Sequence, residues 1–313
     1  MSLWMKTPLI ESVPLGLPIG KKIRLKLENV QPAGSFKIRG IGALCVYEAN
    51  RGAKGFTCAT TGSAGYALAW AGRALGLPAV VCAPDTMPPE SIRPIQLAGQ
   101  TVELAGNTWY DADERATALA QELGYTHIST NEHPVLWNGI STIIDELAAE
   151  GEKPDTILCS VGSGGLISGL CEGLLRNGWD DVRIVGCGTY GADAYNLAVE
   201  AGKIINKETT TSIIPCISAL HVIDHVMDFR SSVHLRSFIT TDLSAVSACE
   251  RFLDDHRMLV DPSCGVALAP VYENAPILRE SENIVVVVCG GVGITVERLE
   301  RMKALAVERE RRA

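Results

Sequence analysis

Short apolar runs alternate along this chain with longer segments of helix length. The short runs predict β-strands at residues 23–27, 55–59, 79–83, 101–104, 126–129, 156–160, 183–187 and 284–289. The longer segments predict helices, among them residues 64–75, 111–123, 139–150, 166–176, 243–255 and 295–309. A repeated order of strand, helix and strand is typical of an α/β fold, so we expect mostly parallel sheets covered by helices.

One of these runs, residues 284–289, is apolar at every position rather than at every second position. This pattern is typical of a strand that is buried on both faces of a parallel sheet. Such sheets bind ligands beyond the carboxyl ends of their strands, where Gly162 and Gly290 would both fall. We expect a small domain at residues 37–135 and a large domain formed by residues 1–36 and 136–313.

The composition predicts a soluble globular protein with a large core, since 47% of its 313 residues are hydrophobic and 20% are charged. A net charge of −8, without a basic run interleaved with aromatic residues, argues against nucleic acid as a partner. Ten cysteines without a Cys-x-x-Cys pair favour a reducing cytoplasm. We expect no targeting signal and no membrane span, because every uninterrupted apolar run is far shorter than the roughly 20 residues required.

A lysine and a glycine-rich loop indicate the chemistry. Lys37 ends the sequence Gly-Ser-Phe-Lys, which predicts a turn of small residues, and the loop Gly-Ser-Gly-Gly at 162–165 follows a predicted strand and precedes a predicted helix. An amine can bind an aldehyde covalently, and free backbone N–H groups at a helix start can bind a phosphate. Together they predict pyridoxal 5′-phosphate as cofactor.

Each feature alone also fits an ordinary role, as a surface lysine or as a turn without a ligand. A dinucleotide-binding loop would need glycine at position 167, where this chain has Ile167.

With these motifs the chain resembles the fold-type II pyridoxal-phosphate enzymes over nearly its whole length. The resemblance is to the serine dehydratase branch, the L-serine and L-threonine deaminases. The motifs that carry it are KTPL at 6–9, QPAGSFKIRG at 31–40, TTGSAG at 60–65, VGSGGL at 161–166, VDPSCG at 260–265 and VCGG at 288–291. The resemblance implies a two-lobed α/β fold like that of tryptophan synthase β, and a homodimer.

The resemblance also implies the roles of individual residues. Lys37 is expected to form the imine with the cofactor and then to act as a base, with Thr61 and Ser63 as further catalytic residues. The expected cofactor contacts are Phe36, Lys37, Ser63, Gly162, Ser163, Gly164, Gly165, Leu166, Cys289 and Gly290. The small domain is expected to hold the substrate carboxylate with Thr60, Thr61, Gly62, Ser63 and Ala64. Cys289 would face the pyridine nitrogen, where an uncharged thiol favours elimination over transamination.

Some positions depart from the family pattern. Ser63 stands where the family has an asparagine that hydrogen-bonds the phenolic oxygen of the cofactor, and Thr61 stands where serine racemases carry a serine. Many relatives bind a monovalent cation near the phosphate loop. At the position of the expected acidic ligand this chain has Gly188, with Asp193 close by in the sequence, and the family's Glu-Pro is Asp-Pro at 261–262.

These features predict β-elimination of L-serine, and of L-threonine as a second small hydroxy amino acid, to a 2-oxo acid and ammonia. Three alternatives stay open: a serine racemase or another fold-type II enzyme, a cofactor-binding homologue with little activity, and a metallohydrolase. The last interpretation uses His221 and His225, whose spacing would put both on one face of a helix as zinc ligands. No third ligand is evident, so we expect no metal site.

Overall fold

The computed structural model describes residues 2–312, so the two terminal residues of the predicted large domain, 1 and 313, lie outside the described part of the chain. Across this range there are ten strands: β1 Leu9–Glu11, β2 Lys22–Leu27, β3 Phe56–Ala59, β4 Ala79–Ala83, β5 Thr101–Leu104, β6 Thr126–His127, β7 Thr156–Ser160, β8 Arg183–Thr189, β9 His234–Thr240 and β10 Asn283–Val288.

Helices follow most of the strands. The described residues contain twelve of them: α1 Val13–Gly16, α2 Lys37–Asn50, α3 Ser63–Leu75, α4 Pro89–Leu97, α5 Trp109–Leu123, α6 Pro134–Ala149, α7 Gly165–Arg176, α8 Ala194–Ala201, α9 Asp224–Asp228, α10 Asp242–His256, α11 Pro262–Tyr272 and α12 Val296–Arg312. None of the helices within residues 2–312 combines the length and the apolar character that crossing a lipid bilayer requires.

The strands form two sheets. One has six strands in the order β1-β2-β10-β7-β8-β9, and the other has four in the order β5-β4-β3-β6. Every pair of neighbours is parallel except β1 and β2. The expected α/β fold with mostly parallel sheets is therefore confirmed. The four-stranded sheet uses only chain between residues 56 and 127, whereas the exact borders of the two domains stay a prediction.

The eight predicted strands are all present, although the one expected at 126–129 ends at His127. Two strands were not predicted. β1 has only three residues, and β9 is an edge strand that pairs with β8 alone, so its sequence mixes polar with apolar positions. One local prediction is wrong, because Lys37 is the first residue of helix α2 rather than part of a turn.

The centre of the six-stranded sheet explains the continuous apolar run of β10. This strand lies between β2 and β7, and its residues from Ile284 to Val288 have no exposed surface. Both faces of a central parallel strand are covered by helices, which favours apolar residues on both faces. The strand ends at Val288, which places Cys289 and Gly290 at the carboxyl edge of the sheet as expected.

A largely buried cluster of charges fixes helix α2 to its surroundings. Arg39 donates to the Glu28 carboxylate at 2.7 and 2.8 Å and to the Glu146 carboxylate at 2.6 and 2.8 Å. Lys26 of β2 donates to Glu146 at 2.6 Å. Two positive and two negative groups thus compensate one another away from water, which joins α2 to β2 and α6. Loss of one partner would leave a buried charge without compensation.

We therefore expect the substitution Arg39→Met to lower the free energy of unfolding by about 3 kcal/mol, because Glu28 and Glu146 would stay buried without their guanidinium partner. Urea unfolding followed by circular dichroism at neutral pH measures the change. Arg51→Met is the matched control, since Arg51 lies at the end of the same helix but has a side chain that is 64% exposed. Equal stability of the two variants would contradict this account of the cluster.

Candidate active site

Two cavities meet at the side chain of Lys37. The glycine-loop cavity is bounded by residues 162–165 and Cys289. The threonine-loop cavity is bounded by residues 60–64 and opens beside it. The residues that line both are Lys37, Ser63, Asn131, Ser163 and Cys216. The predicted cofactor contacts therefore surround the first cavity, and the predicted carboxylate loop surrounds the second.

Lys37, the first residue of α2, is fixed by a backbone hydrogen bond of its neighbour and by hydrogen bonds of its own amine. The Phe36 N–H donates to the Cys289 carbonyl oxygen at 2.9 Å, which ties the lysine to the end of β10. The Lys37 ammonium donates to the Thr130 carbonyl oxygen at 3.0 Å and to Asn131 Oδ1 at 3.2 Å. Burial lowers the pKa of Lys37 to about 8. A substantial fraction of this amine is therefore neutral, and so nucleophilic, near physiological pH.

The glycine loop presents backbone donors to the first cavity. Within residues 2–312, no hydrogen-bond acceptor is paired with the N–H groups of Gly162, Ser163 or Gly164. Helix α7 begins directly after them, so its partial positive charge adds to the donors. Gly164 has a φ of +111°, and a Cβ at this position would lie 2.3 Å from Val226 Cγ2. Only glycine fits there without rearrangement, and the loop is well suited to a phosphate.

The threonine loop has its own internal hydrogen bonds. Thr60 Oγ1 accepts from the N–H groups of Gly62 at 2.9 Å and Gly65 at 3.0 Å, and it donates to the Gly62 carbonyl oxygen at 3.0 Å. The Thr60 hydroxyl thus shapes the loop, while Thr61 and Ser63 line the cavity. The loop leads into α3, whose N-terminus favours an anion such as a carboxylate.

Cys289 lies at the floor of the glycine-loop cavity among small polar groups. Its sulfur is 3.2 Å from Cys264 Sγ, 3.5 Å from Ser263 Oγ and 3.6 Å from Ser160 Oγ. The hydrogen bond with Cys264, followed by those with the two serines, holds the pKa of the Cys289 thiol below its usual value despite burial. The end of β10 therefore offers a polarisable sulfur to a ligand in this cavity.

Two residues that line both cavities were missing from the sequence prediction. Asn131 contacts the Lys37 amine, and Cys216 lies in the segment that covers the glycine loop. Asn131 follows the short strand β6, so the rule that ligands bind beyond the carboxyl ends of parallel strands could have found it. Cys216 had no such signal, because it lies in a long irregular segment far from any strand end.

The two histidines do not share a helix face, as the zinc interpretation assumed. Only His225 lies in helix α9, while His221 precedes the helix and lines the threonine-loop cavity. The His225 ring stacks on Trp137 at 3.8 Å and hydrogen-bonds Glu172 at 3.1 Å and Asp228 at 3.0 Å. Across residues 2–312, no group of three or more potential ligands could hold a metal ion. His225 is thus a packed structural histidine.

The glycine-loop cavity fits a phosphate-bearing aromatic aldehyde. Unpaired N–H groups lie at one end and the Lys37 amine lies at another, with the Phe36 ring 5.4 Å from that amine. Cys289 supplies a sulfur at the floor, where a ring nitrogen would need a partner. Each part of pyridoxal phosphate therefore meets a group of suitable chemistry.

Known proteins are similar to this chain in sequence and in fold. A family model described as pyridoxal-phosphate dependent enzyme matches residues 2–290. The chain is 37% identical to the Homo sapiens protein named serine dehydratase-like, over 95% of this chain and 93% of the relative. It is also 37% identical to L-serine dehydratase/L-threonine deaminase of Homo sapiens, over 96% and 95%. A crystal structure of a fungal L-serine ammonia-lyase from Rhizomucor miehei superposes with a TM-score of 0.92 at 29% identity, covering 98% of this chain and 100% of that one.

The low pKa of Lys37 predicts how fast the apoprotein binds pyridoxal phosphate covalently. Only the neutral amine attacks the aldehyde, so the rate should rise with pH through about 8 and then level off. Stopped-flow absorbance after addition of the cofactor measures this rate across the pH range. A rate that still climbs toward 10.5, the usual pKa of a lysine, would show that burial does not perturb the amine.

Proposed function

The chain belongs to the family of pyridoxal-phosphate-dependent enzymes, and we propose that it deaminates L-serine, and L-threonine as a second substrate, by β-elimination. The products are a 2-oxo acid and ammonia. The observation that carries this proposal is the position of the Lys37 amine, which faces a phosphate-binding loop on one side and an anion-binding loop on the other. The names of the relatives at 37% identity support the same reaction.

The chain has a group for each part of the cofactor. Lys37 would hold the aldehyde carbon, and residues 162–165 with Leu166 would hold the phosphate at the start of α7. Phe36 would pack on the ring, and Cys289 with Gly290 would lie beside the ring nitrogen. When bound, pyridoxal phosphate withdraws electrons from the α-carbon of an amino acid, which makes the α-proton acidic.

Lys37 would then act as the base for that proton. Its amine lines both cavities and would therefore lie within reach of the α-carbon of a substrate bound between them. A pKa of about 8 suits a group that must accept a proton and release it again near neutral pH. The hydrogen bonds to the Thr130 carbonyl oxygen and to Asn131 fix its direction.

The threonine loop would orient the substrate. We assign Thr60, Thr61, Gly62, Ser63 and Ala64 to its carboxylate, which lies within reach of the N-terminus of α3. A fixed carboxylate and a fixed amine together define the direction of the α-hydrogen, and this orientation is a large part of catalysis. Thr61 and Ser63 also carry hydroxyl groups in this cavity, and we assign them as the further catalytic residues that could give a proton to the departing β-hydroxyl.

The buried Cys289 thiol favours elimination. A thiol beside the ring nitrogen carries no positive charge and gives the ring no strong proton donor, so the cofactor is a moderate electron sink. Such a sink would support loss of a β-hydroxyl more than it would support transamination. Racemisation of serine is the second candidate, because Thr61 places a hydroxyl in the same cavity as the Lys37 base.

We also infer the cellular setting from the thiols. All ten cysteines are free, and nine of them are buried, which suits a reducing cytoplasm. The acidic net charge is unfavourable for binding nucleic acid. A homodimer is the assembly that the family resemblance implies, and size-exclusion chromatography with light scattering would measure it.

The proposed reaction predicts that purified protein loaded with pyridoxal phosphate forms pyruvate and ammonia from L-serine in equal amounts. Substitution of Lys37→Ala should lower the rate by at least about a hundredfold, since both the covalent attachment and the base are lost. A lactate dehydrogenase-coupled assay measures pyruvate. Retention of the wild-type melting temperature by the variant would exclude a folding defect.

Other results would contradict the proposal in distinct ways. Chiral chromatography that finds D-serine instead of pyruvate would indicate a racemase. A yellow protein that converts neither L-serine nor L-threonine would indicate a homologue that binds the cofactor without this activity.

A further inference from the structure

Lys207 places a positive charge against the turn that follows strand β8. Its ammonium donates to the Gly191 carbonyl oxygen at 3.0 Å and to the carboxylate of Asp193. Only 15% of the Lys207 side chain and 24% of the Asp193 side chain are exposed. The ammonium therefore occupies a largely enclosed socket of oxygen atoms, which are also the ligands that hard metal cations take.

The residues of this turn do not fit the monovalent cation that the family resemblance implies. Gly188, at the position of the expected acidic ligand, has no side chain. A Cβ built there would lie 2.8 Å from the Ala192 carbonyl oxygen and 3.1 Å from Ile239 Cδ1, so an acidic side chain would require the turn to move. The carboxylate of the neighbouring Asp193 binds Lys207 instead.

The socket is connected to the glycine loop through the segment of residues 207–223. The Lys207 N–H donates to the Leu220 carbonyl oxygen at 2.8 Å, which closes the segment at its base. At its far end the Ile223 N–H donates to the Ser163 carbonyl oxygen at 2.8 Å. The segment has little regular structure of its own, so its position depends on these two end contacts and on Asp242, whose carboxylate accepts from Ser212 and Ile213 in its middle.

The same segment also packs directly against the backbone of the glycine loop. A Cβ at Gly162 would lie 3.1 Å from the Cys216 carbonyl oxygen and 3.2 Å from Ile217 Cα. The loop and the segment are thus in close backbone contact. A shift at the Lys207 anchor would move atoms that pack directly on the proposed phosphate site.

We propose that the ammonium of Lys207 takes the place of a bound monovalent cation and holds the segment of residues 207–223 on the glycine loop. The charge is then part of the chain, so the protein needs no K⁺ or Na⁺ for this purpose. The activity readout of this inference rests on the proposed function, whereas thermal melting of the cofactor-loaded protein does not.

The test compares wild type with Lys207→Ala in KCl and in tetramethylammonium chloride at equal ionic strength, because tetramethylammonium is too large to enter the socket. Wild type should have the same melting temperature and the same rate of serine deamination in both salts. The variant should lose about tenfold in rate in tetramethylammonium chloride, which is the scale for removing one partly buried charge. KCl should restore most of this loss, since K⁺ can enter the vacated space.

Lys203→Ala is the matched control, since Lys203 lies in the same part of the chain but is exposed. It should behave as wild type in both salts. A wild-type rate or melting temperature that rises in KCl would overturn the proposal, because the protein would then need an added cation. A Lys207→Ala variant that matches wild type in both salts would overturn it as well. So would a variant whose loss of rate is not reversed by KCl. If neither wild type nor variant deaminates serine, the melting temperatures decide the question: Lys207→Ala should melt below wild type in tetramethylammonium chloride and recover in KCl, and equal melting in both salts would overturn the proposal.

Discussion

The Lys37 amine must be partly shielded from water and still be open to two cavities, and much of the structure serves this requirement. Desolvation lowers its pKa to about 8, so part of the amine is neutral near physiological pH, as the proposed roles of nucleophile and base require. A flexible lysine side chain can keep its amine in this position only if the backbone that carries it is rigid. That support is the start of α2, which the Arg39 cluster joins to β2 and α6 and which the Phe36 N–H joins to the end of β10.

Parallel strands bring the remaining groups to the same place. The glycine loop follows β7, Cys289 follows β10, the threonine loop follows β3, and Asn131 lies beyond β6. The first two strands belong to the six-stranded sheet and the other two to the four-stranded sheet. The carboxyl ends of both sheets therefore meet around Lys37. The loop proposed to bind a phosphate and the loop proposed to bind a carboxylate can then contact one molecule that lies between them.

Much of this arrangement could be predicted from the sequence, because buried parallel strands have a strong apolar signal and the glycine loop has a distinctive order. The edge strands β1 and β9 lacked that signal, since one is short and the other is half exposed. The helical start at Lys37 was also missed, because Gly34 and Ser35 before it favour a turn. Contacts between distant residues, such as Asn131 with Lys37 or Lys207 with Asp193, depend on side-chain packing that no local pattern encodes.

The central claim is that the amine of Lys37, and no other lysine, holds the cofactor. Borohydride reduction of the fully loaded protein, followed by peptide mapping with mass spectrometry, tests it most directly. We predict a single pyridoxyl-phosphate modification, on the peptide that contains Lys37. A fully loaded protein in which Lys37 is unmodified, or in which another lysine carries the label, would contradict the account.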